Sequence, residues 1–347
     1  MIVTPEHPTE TSTRRREPSM EDVAREAGVS GQTVSRVVNA RGYVGAATRE
    51  RVEAAMNSLG YRPNSAARAL RSGRFRTIGV VMFSFSSYGN QRTLDAIAVR
   101  AAQLGYALTL IPVESSAGET VAGAFRRLEE HAVDGIIIVI EAHQLDEADI
   151  EIPDALPVVF VDSNRGDTHP FVDTDQAQGA RLATEHLLGL GHDTVWHVTG
   201  PARSYSAERR REAWQQTLEG HGRDVPAPLS GDWTAASGYA AGVELREIDG
   251  VTAVFAANDQ MAIGVLRAFR EVGRDVPEDV SIVGFDGLPD AAQLWPPLTT
   301  VQQHPERVGA LAVDALLAEL DGVERQQTPL VATELIVRES TAAPRKR

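Results

Sequence analysis

The chain has 347 residues, more than one typical domain, with 42% hydrophobic residues, no cysteine and a formal net charge of −14. Lack of cysteine excludes disulfides, thiolate metal sites and cysteine nucleophiles, and no apolar run approaches the roughly 18 residues of a membrane-spanning helix. The opening residues MIVTPEHPTETSTRRREPS contain no continuous apolar stretch, so no secretory signal is read and a cytoplasmic protein without a membrane role is expected.

The charge is unevenly spread. From Arg14 to Arg76 there are thirteen arginines against six acids, +7 in 63 residues, which leaves −21 for the remainder. A basic nucleic-acid module joined to an acidic body fits this asymmetry, and so does a solvated basic tail.

Residues 1–18 read as a flexible tail and 19–62 as a helical module. In SMEDVAREAGVSGQTVSRVVN, Ser19 and Asp22 have capping-box spacing, and Val23, Ala24 and Ala27 form an apolar stripe. Gly28 ends this helix. Ser30 is a natural N-cap for a second helix with Val34, Val37 and Val38 inward. The pair makes a helix-turn-helix whose second helix turns Gly31, Gln32, Ser35 and Arg36 outward, where a major groove would meet them, with Arg36 the expected guanine reader. A third helix is expected from Thr48, with Val52, Ala55, Met56 and Leu59 inward and Gly60 as its stop.

Residues 63–75 include NSAARALRSGR, with Asn64 as a cap and Leu70 as the one large apolar residue before Phe75. Too short and too polar to hold its own helix, this segment is expected to fold as a hinge helix when a symmetry mate and DNA hold it. An ordinary linker is the alternative reading for Leu70.

From Arg76 to about residue 340, strand-like runs alternate with helical stretches: IGVVMF, NQRTLDAIAVRAAQLG, YALTLIPV, GETVAGAFRRLEE, GIIIVI, then PVVFVD, TVWHVTG, TAVFAAND and VSIVGFD. This periodicity predicts an α/β core of mostly parallel sheets in two lobes, about 76–174 with 303–334, and about 175–302 with 335–340, leaving 341–347 as a tail. Ligands of such sheets lie beyond the carboxyl ends of strands, where Asp162, Asn258, Asp259 and Asp286 close their runs. A neutral polyol needs such fixed polar groups and an aromatic face in a mostly apolar cavity. Asp162, Asn258 and Asp286 are its candidate acceptors, and Gln303 a further polar wall. Each has a duller reading, since a strand-end Asp often caps the next helix. Phe83, Phe85 and Tyr88 at the first strand end either narrow this cleft or simply pack.

The motifs DVAREAGVSGQTVSRVVN, TRERVEAAMNSLGYRPN and SAARALRSG resemble the LacI/GalR family of repressors, and GDWTAASG, ANDQMAIG and PPLTTVQQ extend the resemblance through the core to about Ala343. The resemblance implies an all-α helix-turn-helix headpiece and hinge helix before a two-lobed, periplasmic-binding-protein-like α/β core. It implies Gln32 and Arg36 as base readers, Ser30, Thr33, Ser35 and Asn39 as phosphate-facing or turn-capping positions, and Leu70 as a minor-groove wedge. It also implies Arg210 in the effector pocket and Trp233 as the ring that stacks on a sugar. Gly31 departs from it, because a well-known member has an operator-reading tyrosine there, so its half-site does not transfer.

No phosphate-loop, dinucleotide-loop, nucleophile-elbow or zincin motif occurs, and His192, His197, Glu185 and His186 read as structural or surface positions, so neither a cofactor nor a metal is expected. The expected function is a sequence-specific repressor, not an enzyme, that binds double-stranded operator DNA as a homodimer and is controlled by a small sugar, a galactoside or related saccharide. Residue pattern leaves inducer and corepressor both open, while the resemblance favours induction. A periplasmic-type sugar-binding protein for transport is the main alternative, and a sugar-processing enzyme using Asp162 or Asp286 the third.

Overall fold

The computed structural model describes residues 18–38, 42–62, 73–82, 87–112, 123, 127–128, 132–139, 156–162, 170–323 and 330–345. Contacts divide the chain into two compact units, Met1–Phe75 and Arg76–Arg347.

In the first unit, α1 (Met20–Ala27) opens with a reciprocal capping box: Asp22 N donates to Ser19 Oγ at 3.3 Å and Ser19 N to Asp22 Oδ2 at 2.9 Å. Gly28 stops it in the left-handed region at φ 63°, and Val29 N returns to Ala24 O at 3.0 Å. Only three residues separate α1 from α2 (Gly31–Val38), because Ser30 caps α2 through Thr33 N at 3.2 Å. The third helix, α3 (Ala46–Leu59), starts two residues before the expected Thr48. Its first turn closes on Gly45 O, and Ala46 and Ala47, strong helix formers, need no side-chain cap. Val23, Ala24, Ala27, Val34, Val37, Val52 and Ala55 form the small core.

In the second unit, β1 (Thr77–Met82), β2 (Ala107–Pro112), β3 (Gly135–Val139), β4 (Val158–Val161) and β5 (Phe171–Val172) form a parallel sheet in the order β2-β1-β3-β4-β5. The unbroken apolar runs GIIIV and VVFV are buried along their whole length, as strands covered on both faces must be. Helix α4 (Tyr88–Gln103) packs on this sheet's side of the unit.

The second sheet contains β6 (Trp196–Thr199), β7 (Leu229–Ser230), β8 (Ala253–Ala256), β9 (Ser281–Asp286), β10 (Thr299–Gln302) and β11 (Glu334–Ile336), in the order β11-β10-β9-β8-β6-β7, with β11 antiparallel. It carries α5 (Gln176–Gly189), α6 (Tyr205–Gly220), α7 (Ala235–Arg246) and α8 (Asp259–Glu271). Helix α9 (Pro305–Leu320) returns to the first sheet and packs on α4.

The chain therefore passes between the sheets after β5, after β10 and again before β11, where Val331 pairs with Thr174. The expected tail from 341 begins later. Thr341 Oγ1 lies 2.9 Å from His186 Nε2, and Ala342 O accepts from Ser281 Oγ at 2.9 Å, so both are part of the second lobe. Histidine 186 is accordingly half-buried rather than a surface residue, whereas Glu185 is exposed. Of the expected hinge helix, residues 63–72 lie outside the described residues, and Gly73 to Phe75 are not helical.

Candidate functional site

On the headpiece, the exposed face of α2 presents Gln32 and Arg36 to solvent, with Ser35 beside them. Ser30 and Thr33 are joined hydroxyl to hydroxyl at 3.0 Å at the helix N-terminus. Tyr43, after α2, is 94% exposed, a large ring left in water on a module this small; the sequence reading passed over it. Asn39, Asn64 and Leu70 lie outside the described residues, as do Phe83 and Phe85.

In the second unit a cleft lies at the carboxyl ends of both sheets. It gathers all six core residues singled out from the sequence: Asp162, Arg210, Trp233, Asn258, Asp286 and Gln303. It also takes Asn90, Thr93, Asp173, Gln176 and Ser206, which the sequence reading missed.

Arg210 is the centre of the cleft floor, with 4% of its side chain exposed. Its Nε donates to Gln176 Oε1 at 2.8 Å, its Nη1 donates to Ala257 O and lies 3.7 Å from Asp286 Oδ1, and its Cζ stands 3.7 Å above the Phe285 ring. Asp286 accepts from Gln303 Nε2 at 2.6 Å. Burial pushes the Asp286 carboxyl up to about 6, against the pull of Arg210 and Gln303.

The Asp162 backbone sits at φ 56° and that of Asp286 at φ 112°, conformations that L side chains rarely adopt. Trp233 joins them at φ 73°, its indole lying so close on Gly200 that a Cβ there would meet the ring at 2.3 Å. Asn258 does two jobs: Oδ1 accepts from Met261 N at 2.8 Å to cap α8, and Nδ2 donates to Trp233 O at 3.0 Å, tying the aromatic wall to the strand end. Asp259 points away from the cleft, accepting from Leu288 N at 2.7 Å and Thr300 Oγ1 at 2.6 Å.

Asp162 Oδ1 is closed off from solvent and has no hydrogen-bond partner among the described residues. Burial drives its carboxyl upward, opposed by Arg210 and Arg209. Asp173 is raised to about 8, chiefly by burial and then by Asp162. Asp173 has two good donors, Thr174 N at 2.6 Å and Arg209 Nη1 at 3.1 Å. His192 is satisfied by Thr252, Ser281 and Ala342, whereas His197 Nε2 has no partner among the described residues and the ring is pushed down to about 3 by burial.

Among the described residues no group of carboxylates and histidines could hold a metal ion, and no helix is long and apolar enough to cross a membrane. A helix-turn-helix unit followed by a two-sheet core with a polar cleft at its strand ends defines a ligand-responsive DNA-binding regulator. The comparisons agree with that class. Residues 19–64 match the model of the bacterial regulatory proteins of the lacI family, and residues 184–341 that of a periplasmic binding protein-like domain. The lactose operon repressor of Escherichia coli (strain K12) is 37% identical over 93% of this chain and 90% of its own length. The HTH-type transcriptional regulator CelR of Thermobifida fusca is 34% identical over 94% of this chain and 99% of its own. The crystal structure of the lac repressor dimer bound to operator and the anti-inducer ONPF superposes with a TM-score of 0.83 at 35% identity, covering 94% of this chain and 100% of that one. The chain belongs to the lacI family: it is a DNA-binding transcriptional repressor, and its relatives are regulators rather than enzymes.

Proposed function

We propose that this repressor acts in the cytoplasm as a homodimer that reads a two-fold operator through Gln32 and Arg36. Ser30, Thr33, Ser35 and Asn39 would hold the backbone, and Asn64 and Leu70 would act in a hinge that orders on DNA. Its effector is an uncharged saccharide of the galactoside class, held by Asp162, Arg210, Trp233, Asn258, Asp286 and Gln303, and its binding releases the operator.

The observation that carries the effector reading is Asp162 Oδ1, buried in the cleft without a partner among the described residues, in a cavity whose other carboxylates, Asp173 and Asp286, already face arginines. A hydroxyl donor satisfies Asp162 without adding charge, whereas an acidic ligand would bring its charge beside three carboxyls whose burial already resists ionisation. Trp233 lines the cleft and supplies the aromatic side that a sugar ring's C–H face needs. The lactose operon repressor among the relatives supports a galactoside.

The test is fluorescence anisotropy of the purified chain on the DNA upstream of its own gene, repeated with a panel of mono- and disaccharides. Binding at low salt, released by one saccharide and lost in Arg36→Ala, is the expected outcome. No DNA binding at low salt under any sugar, or release by a purine base alone, overturns the reading.

A further inference from the structure

Two of the cleft's carboxyls come from the lobe opposite its arginines, while the third, Asp286, stands beside Arg210 in the second lobe. Asp162 follows β4 and Asp173 follows β5, both strands of the first sheet, whereas Arg209 and Arg210 are consecutive on α6, which packs on the second. Arg209 and Arg210 of the second lobe therefore stand opposite Asp162 and Asp173 of the first.

One contact closes that gap directly. Arg209 Nη1 donates to Asp173 Oδ2 at 3.1 Å, joining the end of a first-lobe strand to a second-lobe helix. Both partners are held for the purpose. The Asp173 backbone accepts from Val331 N at 2.8 Å, and its Oδ1 takes Thr174 N at 2.6 Å, which aims Oδ2 at the helix. Helix α6 is fixed at its start by Ser204 Oγ, which accepts from Ala207 N at 3.3 Å.

The pair is also placed to be broken and remade. The Asp173 side chain is 4% exposed and that of Arg209 is 28% exposed, so the carboxylate is shielded while the guanidinium reaches solvent. Parting the lobes would leave Asp173 beside Asp162 with its counter-cation withdrawn, a costly arrangement for buried carboxylates. Closing them restores it. A ligand that enters the cleft thus meets walls already drawn together by charge, and its apparent affinity scales with the fraction of molecules so closed.

The geometry points to Asp173 and Arg209 as a positioning pair that clasps the two lobes across the effector cleft and sets the protein's sensitivity to its effector. Neither residue is needed to touch the effector for this role. The inference rests on the pocket reading above only for its affinity arm.

The experiment uses the full-length chain and the variants Arg209→Ala, Arg209→Lys, Asp173→Asn and the double variant Asp173→Asn/Arg209→Ala. Hydrogen–deuterium exchange without any ligand reads the cleft walls at 87–93, 158–162 and 205–210. The expected result is exchange about tenfold faster there in Arg209→Ala, partly restored in Arg209→Lys, with the double variant no worse than either single one, as a lost charged hydrogen bond predicts. Calorimetry with the saccharide that releases wild-type DNA should show its apparent Kd raised about tenfold in Arg209→Ala. If Arg209→Ala lowers the melting temperature but leaves cleft exchange as in the wild type, the clasp is refuted. If no saccharide binds the wild type, the sugar reading fails while the exchange arm still decides the clasp.

Discussion

Asp259 offers a stability test whose sign reverses ordinary intuition about a well-bonded carboxylate. It is fully buried, and burial followed by the nearby Asp286 raises its carboxyl from 3.8 to about 8, despite bonds from Thr300 Oγ1 and Leu288 N. A folded-state value above the unfolded one means the group's contribution is complete below pH 3.8 and is lost as pH rises toward about 8. At pH 7 that loss spans about three units, roughly 4 kcal/mol as an upper bound. Asp259→Asn removes it. The amide oxygen still accepts from Leu288 N, and the NH₂ donates to a Thr300 hydroxyl that must turn its own proton elsewhere, which takes back about 1 kcal/mol. The expected net gain is about 2–3 kcal/mol at pH 7 and close to zero near pH 4. All four tryptophans lie in the second unit, so denaturant titration followed by tryptophan fluorescence reports that unit alone. A difference between variant and wild type that is flat from pH 4.5 to 7.5 would refute the reasoning.

Two further substitutions test how the site is braced. Gly264→Ala sets a Cβ 2.1 Å from Ala235 O and 2.3 Å from Tyr239 N, backbone atoms that cannot swing aside, so α7 and α8 must part. The expected loss is about 3 kcal/mol in the same fluorescence titration, while Gly189→Ala, with nothing within 4 Å, should stay within about 0.5 kcal/mol of the wild type. Gly200→Ala pushes the Trp233 ring off its seat by about 1 Å, since van der Waals contact needs roughly 3.5 Å and the Cβ would stand at 2.3 Å. Saccharide affinity measured by calorimetry should fall about tenfold, with operator binding in the absence of sugar unchanged; an unaltered affinity would show that Trp233 is not the sugar platform.

How far the sequence could be read depended on how local each cause was. Ser19, Asp22, Gly28 and Ser30 act within four residues of themselves, so α1, the turn and α2 were legible from spacing alone. The start of α3 was not, because the rule that seeks a hydroxyl cap favoured Thr48, while the chain uses Gly45 O and two alanines. Asp162, Asn258 and Asp286 were found because parallel strands deliver their last residues to one edge, a consequence of topology that an apolar run announces. Asp173 follows a strand of only two residues, too short to announce itself, although it ends FV as Asp162 ends VVFV.

Arg209 marks where residue pattern stops informing. In SAERRREAW three arginines stand side by side, and nothing in that run says that Arg210 reaches the Asp286 floor, that Arg209 meets Asp173, or that Arg211 turns to Glu212. Successive helical positions lie about 100° apart, so the helix fixes the three directions, but only the fold brings Asp173 from the first lobe and Asp286 from the second into two of them. The −21 carried outside the basic segment likewise says nothing of its sorting. Only the fold shows that Asp162 and Asp173 of the first lobe face Arg209 and Arg210 of the second. That juxtaposition gives part of an acidic core, at first sight ill suited to a DNA-bound protein, a partner within the core itself: Arg209 meets Asp173 from the facing lobe.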